Sequence, residues 1–158
     1  MPKNQYPQLG SISTNTLRSE DLIPAFADEL RRIRGALPRD LANEVRAFNA
    51  GKYDTTHGCD VELVNSLIEE LNNYAPDYCY FGAHNDDGAD FGFWLQDDWQ
   101  QCAKDDGVKF VADLSDVSMM TLVEDGQPRV VCHVNDHGNA TLYSIAPNGK
   151  AREIWSVV

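Results

Sequence analysis

The amino-acid sequence predicts an α+β protein, with about three helices in its first half packed on an antiparallel β-meander formed mainly by its last third. Apolar residues recur at helical spacing between residues 19 and 75, and they alternate with polar residues beyond residue 77. The length of 158 residues suffices for one hydrophobic core without disulfide or metal staples. We therefore predict a single domain with a loosely ordered start (residues 1–10), a helical part (19–75) and a mainly β part (77–158).

The first predicted helix begins at Ser19 and ends at Gly35. Serine is a residue type that caps the free amides of a helix start, and the two acids that follow it favour the positive end of the helix dipole. Because Pro24 lacks an amide hydrogen, we expect the opening to be kinked or to begin one turn later. The apolar stripe of this helix comprises Leu22, Phe26, Leu30 and Ile33.

Two further helices are predicted before residue 76. Pro38 is placed as the first-turn proline of a short second helix that ends at Asn49. The third helix begins at the cap Asp60 and ends before Ala75 and Pro76. Their apolar stripes are Leu41, Val45 and Phe48 in the second helix and Val64, Leu67, Ile68 and Leu71 in the third.

Aromatic residues at a period of two predict a hairpin of strands 78–81 and 91–95, with a long acidic tip at residues 84–90. A calcium loop does not fit this tip, because Gly88 at the sixth position would make Ala83 and Trp94 the first and last ligands. Turn chemistry explains its Asn, Asp and Gly residues. A short helix at 96–106 and strands at 108–114 and 118–123 are predicted next.

The last third of the chain predicts a strand register. A two-residue turn at Asn148-Gly149 places Leu142 opposite Trp155, and a loop at residues 136–138 with Gly138 left-handed places Cys132 opposite Leu142. The predicted core face collects Val130, Cys132, Val134, Ala140, Leu142, Trp155 and Val157. The other face, predicted to be mixed and half-exposed, collects Val131, His133, Thr141, Tyr143, Ile145, Arg152, Ile154 and Ser156.

Charge is distributed unevenly along the chain. The net charge is −12, and residues 60–125 carry 16 acidic and 2 basic residues, whereas the arginines of the first two helices are nearly balanced by acids. The acidic segment repels nucleic-acid phosphate and attracts a basic protein surface at long range, or it serves only as a solvated face that keeps the protein soluble. The predicted docking residues are Asp86, Asp87, Asp90, Asp97 and Asp98.

Few residues are candidates for catalysis or metal binding. His133 and His137, with His84 from another loop, are the candidate ligands for zinc or iron, although no helix presents them on one face. Cys79 near His84 is a candidate nucleophile, while Cys132 is predicted to point away from His133. No catalytic or cofactor-binding motif is present, so we expect no cofactor and favour a non-enzymatic role.

The cysteines and the hydropathy bear on the compartment. The four cysteines lie far apart with no C-x-x-C pair, which predicts reduced, unpaired thiols in a cytoplasmic protein. No stretch approaches the roughly 20 apolar residues that span a bilayer, so no membrane association is expected.

Three parts of the chain resemble segments of known proteins. ISTNTL (residues 12–17) with EDLIPAF (20–26), and YFGAH (80–84) with DGADFGFW (87–94), resemble segments of small acidic proteins of phages, prophages and mobile elements. VNDHGNATLY (134–143) resembles a tail motif in similar phage-encoded proteins. The resemblance implies a genetic context and an accessory protein that acts on a host macromolecule, and it supplies no catalytic residues.

These observations lead to three hypotheses about function. The first is a non-enzymatic accessory protein whose acidic surface binds a basic protein surface of a host factor, with no direct contact to nucleic acid. Its most specific form is a nucleic-acid-mimicking inhibitor of a nucleic-acid-binding protein. The second is a small metal- or cysteine-dependent enzyme, and the third is a structural or assembly component of a phage particle.

Overall fold

The computed structural model describes residues 7–113, 115–116 and 129–158. Helices and two sheets within these residues confirm the predicted α+β class. The chain divides into two compact units: unit 1 is Met1–Ala75 with Cys79–Trp94, and unit 2 is Pro76–Tyr78 with Leu95–Val158. The predicted strand 118–123 lies outside the described residues. None of the helices in the described ranges has the length and apolar character needed to span a bilayer.

Unit 1 contains the three predicted helices: α1 (Ser19–Arg34), α2 (Arg39–Asn49) and α3 (Cys59–Asn72). Ser19 is the first helical residue and not the cap, which is Arg18 without a side-chain cap bond. Pro24 lies inside α1, and the expected later start is not observed. The reason is that Leu22 and Ile23, which precede the proline, are buried and anchor the first turn.

The cap of α3 lies two residues before the predicted position. Gly58, with φ of 74°, occupies the cap position, and Asp60 lies inside the first turn. Glycine adopts this left-handed conformation without the steric penalty of a side chain. Asp60 still lies near the positive end of the helix dipole.

A three-stranded sheet completes unit 1, in the order β1 (Gly10–Ser13), β3 (Asp87–Leu95), β2 (Cys79–His84). β1 was not predicted and begins within the segment expected to be loosely ordered. A Cβ atom on Gly92 would lie 2.0 Å from the Gly10 carbonyl oxygen, so β1 pairs this closely only because position 92 is glycine.

The hairpin tip between β2 and β3 is shorter than predicted. It consists of Asn85 and Asp86, and residues 87–90 belong to strand β3 instead of a loop. Composition alone indicated a turn across the whole segment, because Asn, Asp and Gly are common in turns. Pairing with the neighbouring strand extends the ladder through these residues.

The core of unit 1 joins the helices to this sheet. Phe26 of α1 lies edge-on to Phe81 of β2, with ring centroids 5.0 Å apart, and Phe81 lies 4.9 Å from Phe93 of β3. The side-chain amide of Asn72 bonds both backbone groups of Phe81, at 2.7 and 2.9 Å. The end of α3 is therefore tied directly to the backbone of β2.

Unit 2 contains α4 (Trp99–Asp105) and a four-stranded sheet in the order β4 (Lys109–Val111), β5 (Arg129–Val134), β6 (Ala140–Ile145), β7 (Ala151–Val157). The three predicted C-terminal strands are antiparallel, as expected. β4 is shorter than the predicted strand 108–114 and pairs parallel to β5, so the sheet is mixed.

The predicted partners of Leu142 are confirmed, because Leu142 lies opposite both Cys132 and Trp155. Residues 143–145 are one residue off the predicted register and pair with residues 151–153. Gly138 has φ of 84° in a three-residue loop, also as predicted. The second turn was predicted wrongly, because the Ala146 amide donates to the Lys150 carbonyl at 3.0 Å and encloses three residues, not two. A β-bulge between Leu142 and Tyr143 compensates for the extra loop residue and restores the predicted pairing.

The two faces of this sheet are less different than predicted. Cys132, Leu142 and Trp155 are buried on the expected core face. On the face predicted to be half-exposed, Val131 and Ile145 are also buried and pack with Val111. Tyr143 is partly buried against the same cluster. Val111 belongs to the parallel strand β4. The turns between β5, β6 and β7, from which the two faces were predicted, do not show that β4 pairs with β5.

Candidate functional site

The acids of the hairpin tip lie in unit 1. Asp86 and Asp87 are exposed. The Asp86 amide donates to His84 Nδ1 at 3.1 Å, and Asp87 Oδ1 accepts from the Ala89 amide at 3.0 Å. These local bonds hold the turn while leaving both carboxylates in contact with solvent.

Asp90 has a different environment from the tip acids. It is half-buried, its Oδ2 accepts from the Ser11 hydroxyl at 2.9 Å, and its Oδ1 is buried without a hydrogen-bond partner among the described residues. The bond joins β1 to β3. Asp90 is thus placed to hold the edge of the sheet, and it offers less of its charge to a partner than Asp86 or Asp87.

The other two predicted acids, Asp97 and Asp98, lie in unit 2 just before α4 and are exposed. Asp98 occupies the cap position, where its carbonyl accepts from the Gln101 and Cys102 amides. A carboxylate here is favoured by the positive end of the helix dipole. The predicted set therefore divides between the two units.

Sequence reasoning missed two further acids at the other end of α4. Asp105 Oδ1 accepts from Gln101 Nε2 at 2.8 Å, and Asp106 Oδ2 accepts from the Tyr78 hydroxyl at 3.1 Å. Both acids are exposed. The sequence did contain a signal for these acids, because Asp105-Asp106 repeats the pair Asp97-Asp98 at the other end of the short predicted helix.

The acids of the tip and of α4 differ from Asp28 and Glu29 of α1, because those two acids form ion pairs with arginines. Arg31 pairs with Asp28 and Arg32 with Glu29, each at 2.6 Å and three residues apart on α1. In the described parts of the chain, no Lys or Arg nitrogen lies within 4.0 Å of a carboxylate oxygen of the tip and α4 acids Asp86, Asp87, Asp98, Asp105 and Asp106.

Lys104 lies on α4 between these acids without neutralising them. Its ammonium group is 5.7 Å from the centroid of the Phe110 ring, in a cation–π arrangement. Trp99 stacks on the same ring at 6.2 Å and lies edge-on to Trp155 at 5.1 Å. The one lysine of α4 is thus engaged with the aromatic cluster, and the surrounding carboxylates remain uncompensated.

The candidate metal ligands occupy separate environments. His84 lies edge-on to Trp94 with centroids 4.6 Å apart, in unit 1. His133 lies on β5 opposite Thr141 of β6 and is half-buried. His137 is exposed in the turn between these strands, so both histidines belong to unit 2. Over the ranges that the structure describes, no three His, Cys, Asp or Glu side chains form a group that could hold a metal ion.

No disulfide joins any of the four cysteines, all of which lie in the described ranges. Cys79 and His84 lie at opposite ends of β2, and five strand residues span roughly 17 Å, so the candidate pair is too far apart for proton transfer. Burial raises the pKa of Cys132 to about 11. Desolvation, followed by the nearby Asp98 carboxylate, also raises the pKa of Cys102. Both of these thiols therefore stay protonated at neutral pH, and a thiol is a poor nucleophile.

Comparison of the chain with known protein families, with curated proteins and with solved structures finds no match.

Proposed function

We propose that this protein is a non-enzymatic accessory protein of a phage or mobile element that acts in the cytoplasm and binds a basic surface of a host protein through its acidic residues. Its most specific form is an inhibitor that occupies the nucleic-acid-binding surface of that host protein. The observation that supports the proposal is that the exposed carboxylates of Asp86 and Asp87 at the β2–β3 tip, and of Asp98, Asp105 and Asp106 at the ends of α4, have no cation partner within the described ranges.

The position of these acids supports an intermolecular role. Asp105 lies in the last turn of α4, where a negative charge opposes the helix dipole. The hydrogen bond from Gln101 needs only an acceptor oxygen, which Asn would also supply, so folding stability does not explain the negative charge at this position. Carboxylates without cation partners project their field into solvent, where they accelerate association with a basic surface.

The two alternative hypotheses have less support from the described geometry. For the enzyme hypothesis, the candidate nucleophile Cys79 lies at the opposite end of β2 from His84. The environments of the thiols of Cys132 and Cys102 favour the protonated form. No observation specifically favours a particle component.

The proposal is tested first by capture and competition. The tagged full chain is incubated with host lysate, and the captured protein is eluted by a salt step. We expect elution between low and moderate salt, because added salt shortens the screening length from about 10 Å at 0.1 M. Duplex DNA added instead of salt should also release the partner if the acidic residues occupy a nucleic-acid site. A captured protein that duplex DNA does not displace would contradict the inhibitor form.

Charge-neutralising variants test which acids are used. Asp86→Asn with Asp87→Asn changes the tip, and Asp98→Asn with Asp105→Asn changes α4 by the same two charges. Asp28→Asn with Asp40→Asn is the matched control on α1 and α2. We expect roughly tenfold slower association for at least one acidic pair and little change for the control. Equal effects of all three pairs would show that net charge alone governs binding and would reject a defined docking surface.

A further inference from the structure

Independently of the proposed function, we propose that unit 2 contains a binding site for a small carboxylate that also carries a hydroxyl group, between the start of β4 and the start of β5. The site is a cavity of about 430 Å³. Its polar lining is provided by Tyr78, Asp106, Lys109 and Arg129, and its apolar walls include Val130 and Val131. This volume lies within the usual range of small-molecule pockets.

Two cations converge on this cavity in a strongly acidic protein. Lys109 is the first residue of β4, and Arg129 is the first residue of β5, its parallel neighbour. Neither has a carboxylate oxygen within 4.0 Å among the residues that the structure describes. The arginines of α1 are paired instead with acids on their own helix. Two cations that form no ion pair with the described residues favour an anionic ligand at this cavity.

A strained residue forms the opposite part of the lining. Tyr78 has φ of 65°, which is unfavourable for a residue with a side chain. The Tyr78 carbonyl accepts from the Gln96 amide at 2.9 Å, and the preceding Asp77 carbonyl accepts from Trp155 Nε1 at 2.9 Å. These bonds hold the backbone in place and direct the phenol to Asp106.

The Tyr78–Asp106 pair is the reason why we expect the ligand to carry a hydroxyl group. The Tyr78 hydroxyl donates to Asp106 Oδ2 at 3.1 Å, which leaves the phenol oxygen and Asp106 Oδ1 as acceptors. Burial and this bond raise the pKa of Tyr78 to about 12, so the phenol remains a donor to Asp106 at neutral pH. A ligand hydroxyl can donate to this pair while its carboxylate meets Lys109 and Arg129.

The test is an NMR titration of the full chain that follows the amides of Gly107, Val108 and Val130. The probes are L-malate, succinate, which has the same carboxylates without the hydroxyl, and inorganic phosphate. We expect saturable shifts at these amides with L-malate, in the range of Kd about 1 mM or tighter. The absence of saturable shifts up to about 10 mM L-malate would overturn the proposal.

Arg129→Gln and Lys109→Gln each remove one cation from the cavity, and Lys150→Gln removes an exposed cation near the β6–β7 turn as the matched control. Each cavity variant should weaken L-malate binding about tenfold or more, because a hydrogen bond to a charged group is lost. The control should bind as the parent does. Equal weakening by all three would overturn the site in favour of general electrostatic attraction. Thermal unfolding of each variant verifies that it is folded.

Succinate should bind several-fold more weakly than L-malate, and Tyr78→Phe should reduce this difference. Equal affinities of the two probes, or tighter binding of phosphate, would overturn the assigned ligand class. None of these substitutions replaces an acid of the proposed docking surface, and Tyr78→Phe removes only the hydrogen bond to Asp106. The two proposals can therefore fail separately.

Discussion

Helix α1 of unit 1 and helix α4 of unit 2 use charged residues in opposite ways. On α1 the arginines are paired with acids one turn away, and Glu29, only 7% exposed, is bonded by both Nε and Nη2 of Arg32. The exposed aspartates Asp98, Asp105 and Asp106 lie at the two ends of α4, and the ammonium group of its one lysine lies over Phe110 instead of pairing with them. Charges of α1 thus contribute to the fold, while these acids of α4 face solvent, where their field acts at long range.

The cores of the two units also differ. The core of unit 1 joins three helices to a sheet through a group of phenylalanines. In unit 2 the indole of Trp155 lies edge-on to Trp99 and bonds the Asp77 carbonyl. Tests of the core should therefore change stability, and tests of the α4 acids should not.

The largest effect is expected for Trp155→Ala. Trp155 is 2% exposed and lies opposite Leu142, so its removal should lower the free energy of unfolding by about 3 to 5 kcal/mol. Trp155→Phe keeps a ring but leaves the Asp77 carbonyl without its indole donor, and a loss of about 1 to 3 kcal/mol is expected. Chemical denaturation measures both, and equal losses would contradict a role for the indole hydrogen bond.

Phe26→Ala is the matched change in unit 1. Phe26 is fully buried against Phe81 and Phe91, and a loss of similar size is expected. The predicted single domain implies that this variant and Trp155→Ala shift the same cooperative transition. Two transitions, each sensitive to only one of the variants, would contradict that prediction.

A smaller effect is expected from breaking the paired charges of α1. Arg32→Ala leaves the Glu29 carboxylate, which is nearly buried, without its partner, and should cost about 1 to 3 kcal/mol. Arg31→Ala breaks an exposed pair of the same spacing and should cost less than about 1 kcal/mol. Thermal or chemical unfolding distinguishes them. Equal losses would mean that burial of Glu29 does not determine the contribution of its ion pair.

Stability should also depend on alkaline pH through Cys132. Its thiol titrates near pH 11 in the folded protein, as against about 8.5 in an unfolded chain. Between these values the unfolded chain has lost a proton that the folded protein keeps. The free energy of unfolding should therefore fall as pH rises from about 8.5, by at most about 1.4 kcal/mol per pH unit from this group.

Cys132→Ala removes this contribution. Denaturation series between pH 8 and 10 should show a shallower decline for the variant than for the parent, with Cys102 accounting for part of what remains. The tyrosines Tyr53 and Tyr78, whose pKa values are raised to about 12, contribute only at higher pH. An unchanged slope would show that burial does not hold the Cys132 thiol in its protonated form.

The smallest effect is expected at α4. Asp105→Asn removes a charge that opposes the helix dipole and keeps an acceptor for Gln101, so stability should be unchanged or slightly higher, within about 0.5 kcal/mol. Asp98→Asn at the positive end should be slightly destabilising. Thermal unfolding of the two variants provides the comparison. A large loss at Asp105 would make it a structural residue and weaken its assignment to the docking surface.

Local structure could be predicted from the sequence because it depends on neighbouring residues. Apolar spacing located α1 to α3, and Gly138 identified a left-handed turn position. The Leu142–Trp155 pairing was predicted correctly from a loop that is one residue too short, because a bulge compensates for the difference. The concentration of acids was also visible, since counting charges requires no fold.

Contacts between distant segments were decided only by the tertiary structure. Pairing of β1 with β3 depends on the close approach of Gly10 and Gly92, and parallel pairing of β4 with β5 follows no local turn. The same holds for the predicted docking acids: Asp90 is half-buried within β3 and bonded by Ser11 of another strand, whereas Asp86 is exposed in the turn. Side chains that are distant in sequence meet because strand order brings them together, and no local spacing encodes strand order.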